Sequence, residues 1–258
     1  MLTKALGSFA DIDDSVWLEF LARVLPHIEK VNQRDLTELE LRMLQMMYFT
    51  IWHDNISEDA KRTILERLAS LKKNSHLIAE LQEIVTLRLQ QLRYVGHDND
   101  LDFACPLRVH CHYTRDQLCA AFDMLKPNTL RQGVYQCKDK HSDLLFITLN
   151  KSEKDYSPST MYHDYSLNET LFHWESQSTT SDTSATAQRY FHNRERRQNI
   201  LLFVREAKKD FAGSMPYVFL GNADYVRHTG SRPVSIIWKL RQPIPSHFLA
   251  VTNQLAAQ

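Results

Sequence analysis

The sequence predicts an α+β chain, a helical bundle at the amino end followed by a strand-rich, partly closed β-barrel domain. Two observations lead there. From Asp11 to Tyr94 apolar residues recur three and four apart between capping signals, the period of helices. After residue 98 the chain breaks into many short β-rich runs with few helices between them, which argues against a parallel βαβ sheet.

In the amino-terminal half, Asp13, Asp14 and Ser15 open a helix carrying Trp17, Leu18, Leu21 and Leu25, interrupted at Pro26. Thr37 with Glu40 forms a capping box for a second helix through Leu44, Met47 and Ile51, ending near Asp54 and Asn55. A third follows Ser57, with Ile64, Leu65, Leu68 and Leu71 on one face. Ser75 caps a fourth, whose stripe is Ile78, Leu81, Val85, Leu89 and Leu92. The Met43–Trp52 cluster of methionines and aromatics reads as packed core, and no residue in this half makes a case for chemistry. Gly96-His97-Asp98-Asn99-Asp100 is polar punctuation, which sets the expected domains at 1–98 and 99–258.

Beyond it, Leu107–His112 reads as a strand, then Thr114 and Gln117 cap a helix through Leu125. Strands are expected at Gly133–Tyr135, Leu144–Leu149, Thr170–Gln177, Ile200–Arg205, Tyr217–Asn222 and Val234–Leu240. The segment around QSTTSDTSAT is too polar for core and reads as a long loop.

Composition narrows function. The 258 residues balance 31 Lys+Arg against 31 Asp+Glu, but residues 1–100 hold 12 against 16, so the remainder carries the positive excess of a surface facing a polyanion. With six glycines and no G-x-x-x-x-G-K-[ST], a phosphate-cradling loop is excluded, and no cofactor is expected. There is no H-E-x-x-H and no H-x-K. Cys105, Cys111 and Cys119 near His110 and His112 make a poor zinc site, since neighbours on a strand face opposite ways, and no metal is expected. No apolar run approaches the roughly 18 residues of a membrane span and no secretory pattern opens the chain. The expectation is a cytoplasmic protein with free thiols and no membrane contact.

The candidate binding residues lie mostly between two strand-like runs, Leu144–Leu149 and Glu169–Trp174. The connector offers Asn150, Lys151, Lys154, Asp155, Tyr156, Tyr162, Asp164 and Tyr165. Tyrosines can stack on an extruded base, Asp155 or Asp164 can accept from a cytosine amino group, and the lysines can hold phosphate. The competing structural role has Tyr162 and Tyr165 in the core and Asp164 capping a turn. Gln177 joins the set, and RYFHNRERR adds Arg189, Arg194, Arg196 and Arg197 as a phosphate track. The alternative, catalytic, reading rests on Glu206 and Lys208, an E-x-K at a strand end as in PD-(D/E)xK nucleases, with Asp164 or Glu169 as the upstream acid.

Over Phe103–Leu240, CPLRVHCHYTRDQLCAAF, DLLFITLNKSEKDYSPSTMYHDYSLNETLFHWESQSTT, QRYFHNRERR, ILLFVREAKK, PYVFLGNADYV and GSRPVSIIWKL resemble the uncharacterised carboxy-terminal domain of bacterial superfamily II helicases. Those chains carry a phospholipase-D-like nuclease and a DEAD-type ATPase, and the helical half resembles the segment that joins the ATPase to this domain. The resemblance implies a type IV restriction context, an SRA/PUA-like barrel that reads modified cytosine in DNA, and helicase or nuclease partners in cis or in trans. Neither the ATPase nor the nuclease motifs occur here, so the chain itself is expected to be a non-catalytic reader. A scaffold that docks a helicase without touching a base is the remaining alternative.

Overall fold

The computed structural model describes residues 2–54, 56, 61–94, 96–130, 132–150, 164–209 and 213–253. It is a mixed α+β structure in which helices precede the strands, dividing into compact units at residues 1–131 and 132–258. The segment between the polar punctuation at Gly96 and residue 131 therefore lies with the helices. Among the described residues no helix is long and apolar enough to cross a membrane.

The first unit holds α1 (Leu2–Ala10), α2 (Ser15–Val24), α3 (Glu38–Ile51), α4 (Lys61–Ser70), α5 (Ser75–Gln91), a two-residue strand β1 (His112–Tyr113) and α6 (Arg115–Ala121). Local signals act where expected: Asp14 caps α2, Pro26 turns its end into a 3-10 segment over Leu25–Lys30, and capping boxes at Thr37 and Thr114 start α3 and α6. Asn74, not Ser75, accepts the Leu77 N–H and caps α5. The expected strand Leu107–His112 does not form. His110 has φ of 74°, a left-handed value that an extended run cannot contain, and Val109 is left in an isolated bridge with His97. Similarly α6 stops at Ala121, with Asp123 at φ 60°, rather than continuing to Leu125.

Two adjacent acids tie this segment to the helices. Asp13 accepts from the His112 N–H at 2.8 Å and sits 2.7 Å from its Nδ1, while fully buried Asp14 accepts from Tyr113 Oη at 2.5 Å and the Trp17 N–H at 3.1 Å. Burial pushes the Asp14 carboxyl up to about 6, against the Tyr113 and Trp17 hydrogen bonds and Arg108, which lower it, and with Asp13, which raises it. The folded state thus holds this proton more tightly than the unfolded chain. The group favours folding fully below 3.8, its ordinary value, and that contribution is lost as pH rises through about 6. Asp14→Asn, which keeps a cap, is expected to flatten the pH 4–7 stability profile of this unit by on the order of 3 kcal/mol, two pK units' worth. Urea melts of both proteins across that range would show an unchanged profile if the proton is held elsewhere.

The second unit contains β2 (Val134–Cys137), β3 (Ser142–Asn150), β4 (Tyr165–Ser166), β5 (Leu171–Glu175), α7 (Ala185–Phe191), β6 (Asn199–Ala207), β7 (Tyr217–Thr229), β8 (Ser235–Leu240) and α8 (Ser246–Asn253). Its strands run in the order β2-β3-β6-β7-β8-β5-β4, an open path with no closing pair among the described residues. All neighbours are antiparallel except β3 and β6, which run parallel from Ser142↔Asn199 to Asn150↔Ala207.

The thirteen-residue β7 organises this unit. Its first part, Val218–Asn222, pairs with β6, and its second, Ala223–Thr229, pairs with β8. The register shifts beside Leu220, where Gly221 takes φ of 88°, a value that favours glycine, and shifts again at Val226. The strand can bend there and carry two half-sheets around one core. Leu145 and Ile147 of β3, Leu202 and Val204 of β6, Phe172 and Trp174 of β5, and Ile236 and Trp238 of β8 fill that core, with Phe248 of α8 at its edge. On the opposite face Phe146, Phe203 and Phe219 stack across three strands at 5.4 and 4.9 Å.

Candidate nucleic-acid interface

The arginine-rich segment that follows the polar loop is not a loop throughout. Ser184 Oγ accepts the Ala187 N–H and starts α7, which places Ala187 and Tyr190 on one buried face, three apart. The helix ends at His192, and a tight turn to Gln198 leads into β6, with Arg197 at φ of 50°.

Two buried polar groups fix this turn. Asn193 donates to the Ala223 carbonyl at 3.2 Å and accepts the Tyr225 N–H at 3.1 Å, which locks the turn onto β7. Asp143, fully buried on β3, receives a bidentate fork from Arg189, both bonds 2.8 Å, and a third bond from Gln198 Nε2 at 2.9 Å. Arg189 is therefore an anchor, its side chain 16% exposed. Tyr190 is core as well, edge-on to Trp174 and Trp238, and Phe191 lies flat against His228 at 3.8 Å. His228 Nδ1 is 2.6 Å from Tyr225 Oη.

The outward residues are cationic. Arg194, with its side chain 66% exposed, shares Asp224 with Arg241 after β8. Burial pushes the Asp224 carboxyl up, but the hydrogen bonds from Arg194 and Arg241 outweigh it, so its pKa lies below the ordinary carboxylate value. Arg196 and Arg197 are exposed and make no ion pair among the described residues, as are Arg227 and Lys239 on the neighbouring strands; Glu195 faces His192 at 3.0 Å. With Asp143 neutralised by Arg189 and Asp224 contacted twice, this face carries net positive charge.

The structure separates the residues that the sequence grouped. Asn150 ends β3 opposite Ala207, whereas the arginine turn precedes β6 at Asn199, opposite Ser142. Those are the two ends of a nine-residue strand, on the order of 25 Å apart. Lys151, Lys154, Asp155, Tyr156 and Tyr162 lie outside the described residues. Asp164 is buried and accepts the Glu175 N–H at 3.0 Å, Tyr165 stacks on His173 at 4.7 Å, and Gln177 donates to Gln132 at 2.9 Å. Glu206 is exposed and Lys208 half-buried at the Asn150 end, while Asp164 and Glu169 belong to the β4–β5 edge of the sheet. No group of three His, Cys, Asp or Glu that could hold a metal occurs among the described residues. All four cysteines are buried and none is in a disulfide, and burial pushes the Cys119 thiol up to about 12.

Sequence reasoning missed Asp143, Asn193, Asp224 and Arg241. Asp143 and Asp224 stand just beyond the apolar runs Leu144–Leu149 and Tyr217–Asn222, and the only signal was that a strand extended over either acid buries a charge that needs a partner. Residues 107–250 match the family described as domain of unknown function DUF3427. No curated protein matches the chain.

Proposed function

The chain belongs to the DUF3427 family over residues 107–250, and from the cationic face of its second unit we propose that it is a DNA-recognition module that works beside a helicase or nuclease, in cis or in trans. The observation that carries this reading is the anchored turn after α7, where Arg194, Arg196 and Arg197 project from a scaffold held by Asp143 and Asn193. Exposed cations on a rigid mount suit phosphates, whose position they fix without reading sequence.

The finer proposal is an SRA/PUA-like barrel that extrudes a modified cytosine. The register shifts of β7, which let two half-sheets share one core, support the barrel, and the tyrosine-bearing connector beyond Asn150 would supply the stacking groups. Electrophoretic shift with methylated and unmethylated duplexes tests both levels. Binding should weaken steeply with salt, and Arg196→Ala with Arg197→Ala should lower the slope of log K against log salt by roughly 0.9 for each phosphate that is no longer neutralised. Equal affinity for the two duplexes removes the modified-base part, and no shift at low salt removes DNA recognition. Plasmid cleavage in Mn²⁺ would bring forward the nuclease reading on Glu206 and Lys208 instead.

A further inference from the structure

We propose that the stacked rings of Phe191 and His228 form a platform for an unpaired base of single-stranded DNA. The inference rests on the DNA-recognition reading above and deepens it by naming the strand state that the cationic face takes.

Phe191 is the last residue of α7, and both it and Tyr225 pack against the border of the core of the second unit. His228 lies on Phe191 in turn, the two rings 3.8 Å apart and within 6° of parallel. Tyr225 Oη, 2.6 Å from His228 Nδ1, holds the imidazole by one edge and sets its plane. That leaves His228 as the outer ring of the stack. It is half-buried, its Nε2 makes no hydrogen bond, and no ring but Phe191 and Tyr225 stands against it among the described residues. Exposed Arg227 adjoins it in the chain, and exposed Arg194, Arg196 and Arg197 follow Phe191 within six residues.

A flat ring of preset orientation beside exposed guanidinium groups is what a single strand needs, since cations track its backbone while the ring takes a base face. In a duplex both faces of an internal base are covered by its neighbours, so such a surface meets phosphates alone. The tie to Tyr225 lowers the ordering cost, because the imidazole plane is set before a base arrives. Closing the core accounts for Phe191 but does not require a second, polar ring laid parallel upon it.

Charge and stacking separate by what the ligand lacks. An abasic strand keeps every phosphate and offers no base, so cations alone would bind it as tightly as a thymidine strand of equal length. With the platform, the thymidine strand binds more tightly, on the order of tenfold. His228→Leu removes the ring and keeps an apolar side chain, and should bring the thymidine strand down to the abasic level while leaving the abasic strand unchanged. His228→Phe keeps a ring without the Tyr225 bond and should retain most of the difference, which a purely structural role for that bond would not allow.

The full chain and both variants are titrated at low salt, by fluorescence anisotropy, with labelled thymidine, abasic and duplex oligonucleotides of one length, after thermal melts establish that the variants fold. Base-dependent binding that His228→Leu abolishes and His228→Phe keeps supports the platform. A thymidine strand held no more tightly than the abasic one overturns it, and this comparison needs only the parent chain; unchanged base dependence in His228→Leu overturns it as well. In either case continued binding of the duplex leaves the DNA reading standing. Failure of the parent chain to bind any of the three ligands overturns the DNA reading and the platform with it.

Discussion

Replacing Arg189 by alanine is expected to cost about 3–5 kcal/mol of stability, because it strands a fully buried carboxylate. Asp143 would keep only the Gln198 amide, without either arm of the fork. A domain of this size has on the order of 5–15 kcal/mol in total, so the variant should melt far below the parent or fail to accumulate. The cost lies in the isolated charge rather than in the bond as such. Asp143→Leu combined with Arg189→Leu should therefore recover much of the deficit, as apolar replacement of a buried pair commonly does. Urea denaturation followed by tryptophan fluorescence measures both. A single variant within about 1 kcal/mol of the parent would mean that the pair is not the anchor of the α7 turn.

The second large effect is expected at Trp238, where two substitutions should diverge. Its ring is fully buried between Trp174 and Tyr190, at 6.2 and 6.0 Å, so Trp238→Ala should cost about 3–5 kcal/mol through the cavity it leaves. Its indole Nε1, however, has no hydrogen-bond partner among the described residues. An unmet buried donor carries a desolvation penalty of about 1–3 kcal/mol, and Trp238→Phe sheds that donor while keeping an aromatic ring in place. The phenylalanine variant should thus lie within about 1.5 kcal/mol of the parent, less than the volume change alone implies. Equal destabilisation of the two variants, read from the same urea melts, would show that the indole nitrogen is satisfied in solution.

Those anchors also mark where sequence reasoning ran out. Caps were legible because their mechanism is local: Asp14, Thr37 and Thr114 each meet a backbone N–H three residues on. The strand of Leu144–Leu149 was legible because a near-continuous apolar run is what a doubly covered strand needs. By contrast, α7 has only seven residues and one buried pair, Ala187 and Tyr190, too short a window for a period to register. The sequence pattern of β7 stops at Asn222, because the extra residue at Val226 breaks the alternation that would carry it on to Thr229.

The binding residues suffered most from tertiary context. Arg189 and Tyr190 look like their outward neighbours in sequence, yet the partners that draw them in, Asp143 and Trp238, lie 46 residues before Arg189 and 48 after Tyr190. Nothing local to RYFHNRERR distinguishes an anchoring arginine from an outward one. Likewise Asp164 has the chemistry of a base-reading acid, and the Glu175 N–H that it receives becomes visible only when β4 and β5 are paired.

Because β7 gives one half of its length to β6 and the other to β8, it is the strand through which the β2-β3-β6 side and the β8-β5-β4 side of the path are joined. Both sides are paired to this one strand, so displacing β7 unpairs them together, and the two should release their protons to solvent as a single cooperative block rather than in stages. A binding face mounted on that strand inherits this all-or-none character: it is present whenever the unit is folded and disappears only when the whole unit opens.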